Sequence, residues 1–219
     1  MQFSQIFDGV YKIGNRLATR NLVKDNRVYD EELVMHEGEQ YRLWNPYRSK
    51  LAAAILNGLK ELQIRKGSKV LYLGAATGTT SSHVSDIVGE KGIVYCIEIS
   101  ERSMRDLLKA CESRENMLPM LQDARNTEAY SSDTGVCDAL YQDIAAPDQA
   151  DILVRNAALL KPKGYAYVAI KSQSIDVVKE PGRVFSEFLE EVSSAFDVVE
   201  KIDIAPYSKM HLFVVLRKK

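Results

Sequence analysis

One segment limits the folds open to this chain more than any other. The apolar run Lys69-Val-Leu-Tyr-Leu73 meets Gly74-Ala-Ala-Thr-Gly78, and a polar, helix-compatible stretch follows. A second apolar run, Ile93-Val-Tyr-Cys-Ile97, ends in the acid Glu98. A strand that turns through glycine into a helix is the building unit of a parallel sheet with helices packed on its faces. Glycine at the turn lets the backbone approach a ligand with no Cβ in the way. The unpaired N–H groups of the helix start then favour a negative group.

The same alternation continues along the chain. Strands are expected at residues 70–73, 93–98, 118–122, 139–142 and 165–170, and helices at 81–88, 103–115, 149–160 and 184–195. Ser103 and Asp106 have capping-box spacing. Before the first core strand, Asn45-Pro46 breaks the chain, and Leu51, Ile55, Leu59 and Leu62 recur at helical spacing, which predicts a helix over 49–63. The end departs from the pattern: two β-rich runs, 198–204 and 211–217, are joined by only Ala205-Pro-Tyr-Ser-Lys-Met210. Strands this close must be antiparallel, because a parallel crossover needs a dozen or more residues. At the other end, short runs alternate with turn residues at Gly14-Asn15, Lys24-Asp25-Asn26 and Glu37-Gly38-Glu39, the signature of antiparallel hairpins. The expected fold is α/β: a Rossmann-like doubly wound sheet with a reversed last strand, residues 49–219, preceded by a small antiparallel β lobe, residues 1–48.

The dinucleotide fingerprint is G-x-G-x-x-G. Here Ala76 stands where the middle glycine would admit a pyrophosphate, between Gly74 and Gly78. That weakens a nicotinamide dinucleotide and suits an adenosine cofactor without a pyrophosphate. Glu98, Asp123 and Asp143 fall at the ends of consecutive strands, so all three acids face the carboxyl edge where open α/β sheets bind ligands. An acid at the second strand end can accept both ribose hydroxyls, and one at the third can accept an adenine amino hydrogen. Singly such acids are solvated loop charges. With the glycine turn they point to S-adenosylmethionine, and the sheet with its reversed last strand is similar to that of class I methyltransferases.

Length and composition bound the rest. A chain of 219 residues fits one α/β domain plus a small lobe. The formal charge of −1 gives no reason to propose nucleic acid, so any polyanion surface is local or supplied by a partner. Cys96, Cys111 and Cys137 form no C-x-x-C pair, and Cys96 and Cys137 sit in apolar runs, which predicts buried thiols and a reducing, cytoplasmic setting. The N-terminal residues carry no charged region followed by an apolar one, and the apolar runs are too short to span a bilayer, so no membrane is expected. His36 reads as a surface residue and His83 as packing, and no second His or Cys stands at ligand spacing, so no metal is expected.

Several segments carry a closer resemblance. They are Arg42-Leu-Trp-Asn-Pro-Tyr-Arg-Ser-Lys50, Leu73-Gly-Ala-Ala-Thr-Gly-Thr-Thr-Ser-Ser-His-Val84, Gly92-Ile-Val-Tyr-Cys-Ile-Glu98, Tyr141-Gln-Asp-Ile-Ala-Ala-Pro-Asp-Gln149 and Ala169-Ile-Lys-Ser-Gln-Ser-Ile-Asp176. Together they make the chain resemble the fibrillarins, RNA ribose 2′-O-methyltransferases of box C/D ribonucleoproteins, in an archaeal form without a Gly/Arg-rich tail before the lobe. The resemblance covers nearly the whole chain. It implies a Lys-Asp-Lys-His catalytic set, which falls on Lys50, Asp143, Lys171 and His211. In that set Lys171 would stabilise a developing alkoxide or take its proton, Asp143 would orient it, and Lys50 and His211 would position ribose and phosphate. The resemblance also implies cofactor contacts from Gly74, Ala76, Gly78, Thr79, Thr80, Glu98, Ile99, Asp123, Ala124, Asp143, Ile144, Ala145 and Ala146. The family commonly has glutamine where this chain has Ala146, so that position is expected to offer only backbone. Implied partners are a Nop-family scaffold protein, a kink-turn-binding ribosomal-type protein, a box C/D guide RNA and the target rRNA or tRNA. Two other readings remain open at this point: a methyltransferase of a small molecule or protein, and a ribonucleoprotein subunit that binds cofactor without catalysis.

Overall fold

A computed structural model describes residues 2–219. Five strands near the N-terminus, β1 (Phe3–Phe7), β2 (Val10–Ile13), β3 (Arg16–Arg20), β4 (Leu33–His36) and β5 (Glu39–Trp44), form an antiparallel sheet in the order β1-β2-β3-β5-β4. Residues 27–29, between β3 and β4, are irregular. The Glu31 carboxylate accepts the backbone N–H groups of Val28 and Tyr29, so those donors are lost to any ladder.

The main sheet follows α1 (Lys50–Leu56) and alternates strand with helix: β6 (Lys69–Leu73), α2 (Thr79–Val88), β7 (Ile93–Glu98), α3 (Glu101–Glu112), β8 (Met117–Leu121), α4 (Glu128–Thr134), β9 (Cys137–Gln142) and α5 (Gln149–Asn156). Strand β10 (Leu160–Lys171) leads through α6 (Ser172–Ile175) and α7 (Pro181–Val192) to β11 (Phe196–Asp203) and β12 (His211–Lys218). The seven strands lie in the order β11-β12-β10-β9-β6-β7-β8. Strand β12 runs antiparallel to both neighbours, and the pairs among β10, β9, β6, β7 and β8 are parallel. The expected doubly wound sheet with a reversed last strand is therefore the fold observed. One core cluster gathers Tyr72, Val84, Tyr141 and Phe213 on one face, and a second gathers Leu73, Leu140, Leu153 and Phe188 on the other. Cys96 and Cys137 are buried free thiols. No helix among the described residues is long and apolar enough to cross a membrane.

Two of the boundaries that differ from expectation have a clear physical cause. The helix predicted over 49–63 stops at Leu56, because Asn57 caps it and Gly58 takes φ +96°. The Asn57 side-chain amide donates to the carbonyls of Asp203 and Ala205, and the Glu200 carboxylate accepts the N–H groups of Lys60 and Glu61. Leu59 and Ile64 are still buried, but in a chain strapped across the sheet rather than in a helix. The second is the start of α3. Its N-cap is Ser100, whose hydroxyl accepts the N–H of Ser103, and Asp106 pairs with Lys109 instead of closing a capping box.

Candidate active site

The glycine turn is built from three backbone choices. Gly74 adopts φ +83°, and a Cβ there would lie 2.8 Å from the carbonyl oxygen of Asp143. Only glycine lets the loop after β9 close onto the end of β6. Ala76 sits at φ +49°, an uncommon conformation for a residue with a side chain. Its N–H donates to Glu98 Oε2 at 2.7 Å, while Glu98 Oε1 accepts the N–H of Ser100 at 2.8 Å. Glu98 is thus fixed by two backbone donors, and each of its oxygens keeps acceptor capacity. Gly78 caps α2 in a left-handed conformation without a side-chain hydrogen bond, so the first-turn N–H groups of α2 have no side-chain cap.

A cleft of about 270 Å³ opens at this carboxyl edge. Of the predicted cofactor residues, Gly74, Ala76, Glu98, Ile99, Asp123 and Ala124 line it, joined by Asp143, Ile144 and Ala145 from the loop after β9. Gly78, Thr79, Thr80 and Ala146 are not among its lining residues. Gly78 packs toward α3, where a Cβ would meet that of Ala110 at 3.0 Å. Thr80 is buried, and its hydroxyl donates to Ser49 Oγ at 3.0 Å. Ala146 is buried in the core, and its carbonyl accepts the Gln149 side-chain amide at 2.9 Å. Sequence reasoning missed Ser103, Gln122 and Arg125, which also line the cleft. Arg125 bridges Asp148 at 2.7 Å and Asp123 at 3.4 Å, so one acid of the cleft already has a cationic neighbour. Gln122 stands beside Asp123 at a strand end and was legible by that adjacency. Ser103 reads in the sequence as a helix cap, and nothing in its spacing points to the cleft.

The four residues of the expected catalytic set come from four separate elements. Lys50 opens α1 behind the Ser49 cap. Asp143 follows β9 and Lys171 ends β10. His211 begins β12 and pairs directly with Lys171 across the antiparallel ladder. Asp143 is the hub. Its carboxylate lies 3.0 Å from Lys50 Nζ and 2.7 Å from Lys171 Nζ, and its carbonyl accepts from Lys171 Nζ at 2.9 Å. Burial opposes ionisation of Asp143, but Lys50 and Lys171 outweigh it and hold the carboxyl below its ordinary range. The His211 pKa is lowered as well, which here favours the neutral form: burial, with Lys50 and Lys171 nearby, outweighs the Lys209 carbonyl and Asp143. Lys171 also borders the cleft, so the cluster and the cleft form one site. Behind it, the Gln149 amide ties the Lys171 N–H to the carbonyl of Ala146.

Comparison with known proteins identifies the family. The family model "Fibrillarin" matches residues 1–219. A fibrillarin-like rRNA/tRNA 2′-O-methyltransferase of Pyrococcus furiosus is 50% identical, over 97% of this chain and 96% of its own. The crystal structure of Aeropyrum pernix fibrillarin with natively bound S-adenosyl-L-methionine superposes with a TM-score of 0.91 at 42% identity, covering 99% of this chain and 98% of that one. The fibrillarin of a fibrillarin/Nop5p complex superposes with a TM-score of 0.89 at 38% identity, covering 99% and 100%. A whole-length family match, joined to near-complete coverage by relatives of this identity, means that the chain belongs to the fibrillarin family.

Proposed function

We propose that this protein transfers a methyl group from S-adenosylmethionine to the 2′-hydroxyl of rRNA and tRNA riboses, with Lys50, Asp143, Lys171 and His211 as its catalytic set. The observation that carries the reading is the pair of lysines held on one buried carboxylate at the edge of an adenosine-type cleft. The cleft suits the cofactor. Glu98 has acceptor capacity for two ribose hydroxyls, and Asp123 can accept an adenine amino hydrogen. Bound there, S-adenosylmethionine supplies a methyl group on a positively charged sulfur.

The chain's own residues do the rest. A ribose hydroxyl is a poor nucleophile at neutral pH, so it must be aligned and its developing negative charge met by a donor. Lys171 Nζ donates to the Asp143 carbonyl at 2.9 Å and forms an ion pair with its carboxylate at 2.7 Å. An ammonium has three hydrogens, so one remains for the ribose oxygen. Asp143 fixes both lysine termini, and Lys50 adds positive charge for the ribose–phosphate backbone. Residues 49–219 carry this chemistry, and the lobe of residues 1–48 braces it.

The near-neutral charge fits an enzyme that does not select RNA alone. Target choice belongs to a box C/D guide RNA, and the chain docks on a Nop-family scaffold beside a kink-turn-binding ribosomal-type protein in a cytoplasmic particle. Lys171→Ala tests the site. The variant is expected to keep S-adenosylmethionine affinity within about twofold and to lose methyl transfer to guided RNA by about a hundredfold or more. Turnover equal to wild type would remove Lys171 from the reaction.

A further inference from the structure

We infer that His211 Nε2, rather than either lysine, takes the proton from the ribose hydroxyl during methyl transfer; this rests on the reading of the site given above. The first argument is which groups have a lone pair to offer. Lys171 Nζ faces the Asp143 carboxylate at 2.7 Å and the Asp143 carbonyl at 2.9 Å, and Lys50 Nζ faces the same carboxylate at 3.0 Å. All of these partners are acceptors, so both lysines meet Asp143 with hydrogens. They are arranged to donate.

His211 is arranged differently. Its Nδ1 lies 2.6 Å from the carbonyl oxygen of Lys209. A carbonyl only accepts, so the hydrogen of the neutral imidazole sits on Nδ1. Ser208 Oγ, 3.1 Å from the same nitrogen, is its second neighbour. The lone pair is then on Nε2, for which no hydrogen bond is formed among the described residues. The ladder pair Lys171–His211 sets the two side chains side by side on one face of the sheet.

The charges around the ring act in the same sense. Burial, Lys50 from α1 and Lys171 from β10 keep the imidazole neutral near pH 7, while the Lys209 carbonyl and Asp143 after β9 moderate them. The step balances without another reactant. The 2′-oxygen bonds to the methyl carbon, the carbon–sulfur bond breaks with its pair returning to sulfur, and the hydroxyl proton passes to Nε2 and then to water.

Two measurements test this. In ¹⁵N–¹H spectra of imidazole-labelled wild-type protein at pH 7, His211 is expected as the neutral Nδ1–H tautomer; an Nε2–H tautomer or an imidazolium would overturn the inference. In single-turnover methyl transfer by the assembled particle, the wild-type rate is expected to rise with pH and level off at a pKa below about 6.5. His211→Gln is expected to lose that plateau and to slow transfer at pH 7.5 by about a hundredfold, with S-adenosylmethionine affinity within about twofold. An active wild type whose His211→Gln variant keeps the same pH profile overturns the role of His211 alone. A wild-type particle that methylates no RNA overturns the reading of the site itself.

Discussion

Asp143 is the residue on which the site turns. Its folded pKa lies below the ordinary carboxylate value because two lysines outweigh its burial. The stability from this pairing is therefore fully present above about pH 4 and is lost as pH falls through the folded value. Asp143 stays ionised across the range where a histidine titrates, so the lysines keep their anchor while His211 changes state. Thr80 shows a second kind of contribution. It lies two residues past Gly78, yet its hydroxyl holds the Ser49 oxygen that caps α1 and accepts the Ala52 N–H, one residue ahead of Lys50. Thr80→Val keeps the shape and removes that bond. It is expected to cost about 1 kcal/mol in denaturant unfolding and to lower turnover while S-adenosylmethionine affinity stays unchanged. Thr80→Ser is expected to behave as wild type in both measurements. Equal turnover for all three proteins would break the link between the cofactor loop and Lys50.

At the scale of elements, a buried polar network ties the lobe to the main sheet. Asp86 of α2 is bonded by Arg42 of β5 at 2.8 Å and by Arg114, just past α3, at 2.6 Å, and it accepts the Thr19 hydroxyl of β3 at 2.7 Å. Since Thr19 donates to Asp86, its oxygen accepts from His83 Nδ1, and His83 Nε2 takes the hydroxyl hydrogen of Tyr29. Removing the hub charge leaves the Arg114 guanidinium buried without its carboxylate and leaves Arg42 with Glu31 alone. Asp86→Asn is expected to destabilise the fold by about 3–5 kcal/mol in denaturant titration; a loss under 1 kcal/mol would contradict the network's role. His83 adds a pH signature. Burial, with Arg42 and Arg114 beside it, holds its pKa well below 6.5, so the folded protein keeps it neutral while the unfolded chain protonates. The unfolded state then binds the extra proton, and stability falls as pH drops below about 6.5. His83→Gln is expected to flatten that part of the stability profile, measured as denaturant midpoint between pH 7 and 5. None of this network was legible in the sequence beyond His83 as packing. Its charges stand 44 and 28 residues from Asp86 and look like ordinary surface charge until the lobe folds onto α2. What was legible followed local rules. The strand run ending at Gly74, the acid at Glu98 and the short link between β11 and β12 each fixed a backbone path. The helix predicted over 49–63 failed where Asp203, Ala205 and Glu200 supplied distant partners that no periodicity reports.

For the whole molecule, the order of strands explains how residues spread from position 50 to position 211 meet at one edge. Strands β6, β9 and β10 are adjacent and parallel, so their carboxyl ends place Gly74, Asp143 and Lys171 together. Antiparallel β12 then brings its first residue, His211, to the same edge where β10 ends. A parallel last strand would start at the opposite edge, so the reversal of β12 is what completes the set. The lobe packs on α2 and leaves the cleft open, and the formal charge of −1 fits the proposal that other components select the RNA. The most direct test is reconstitution with labelled S-adenosylmethionine, scaffold, kink-turn-binding protein and a box C/D guide, followed by mapping of ribose methylation. The methyl group is expected on the 2′-oxygen of the nucleotide the guide selects, to move when the guide is changed, and to disappear with Lys171→Ala. An assembled particle that leaves the selected ribose unmodified, while the lone chain methylates a small molecule, would contradict the account.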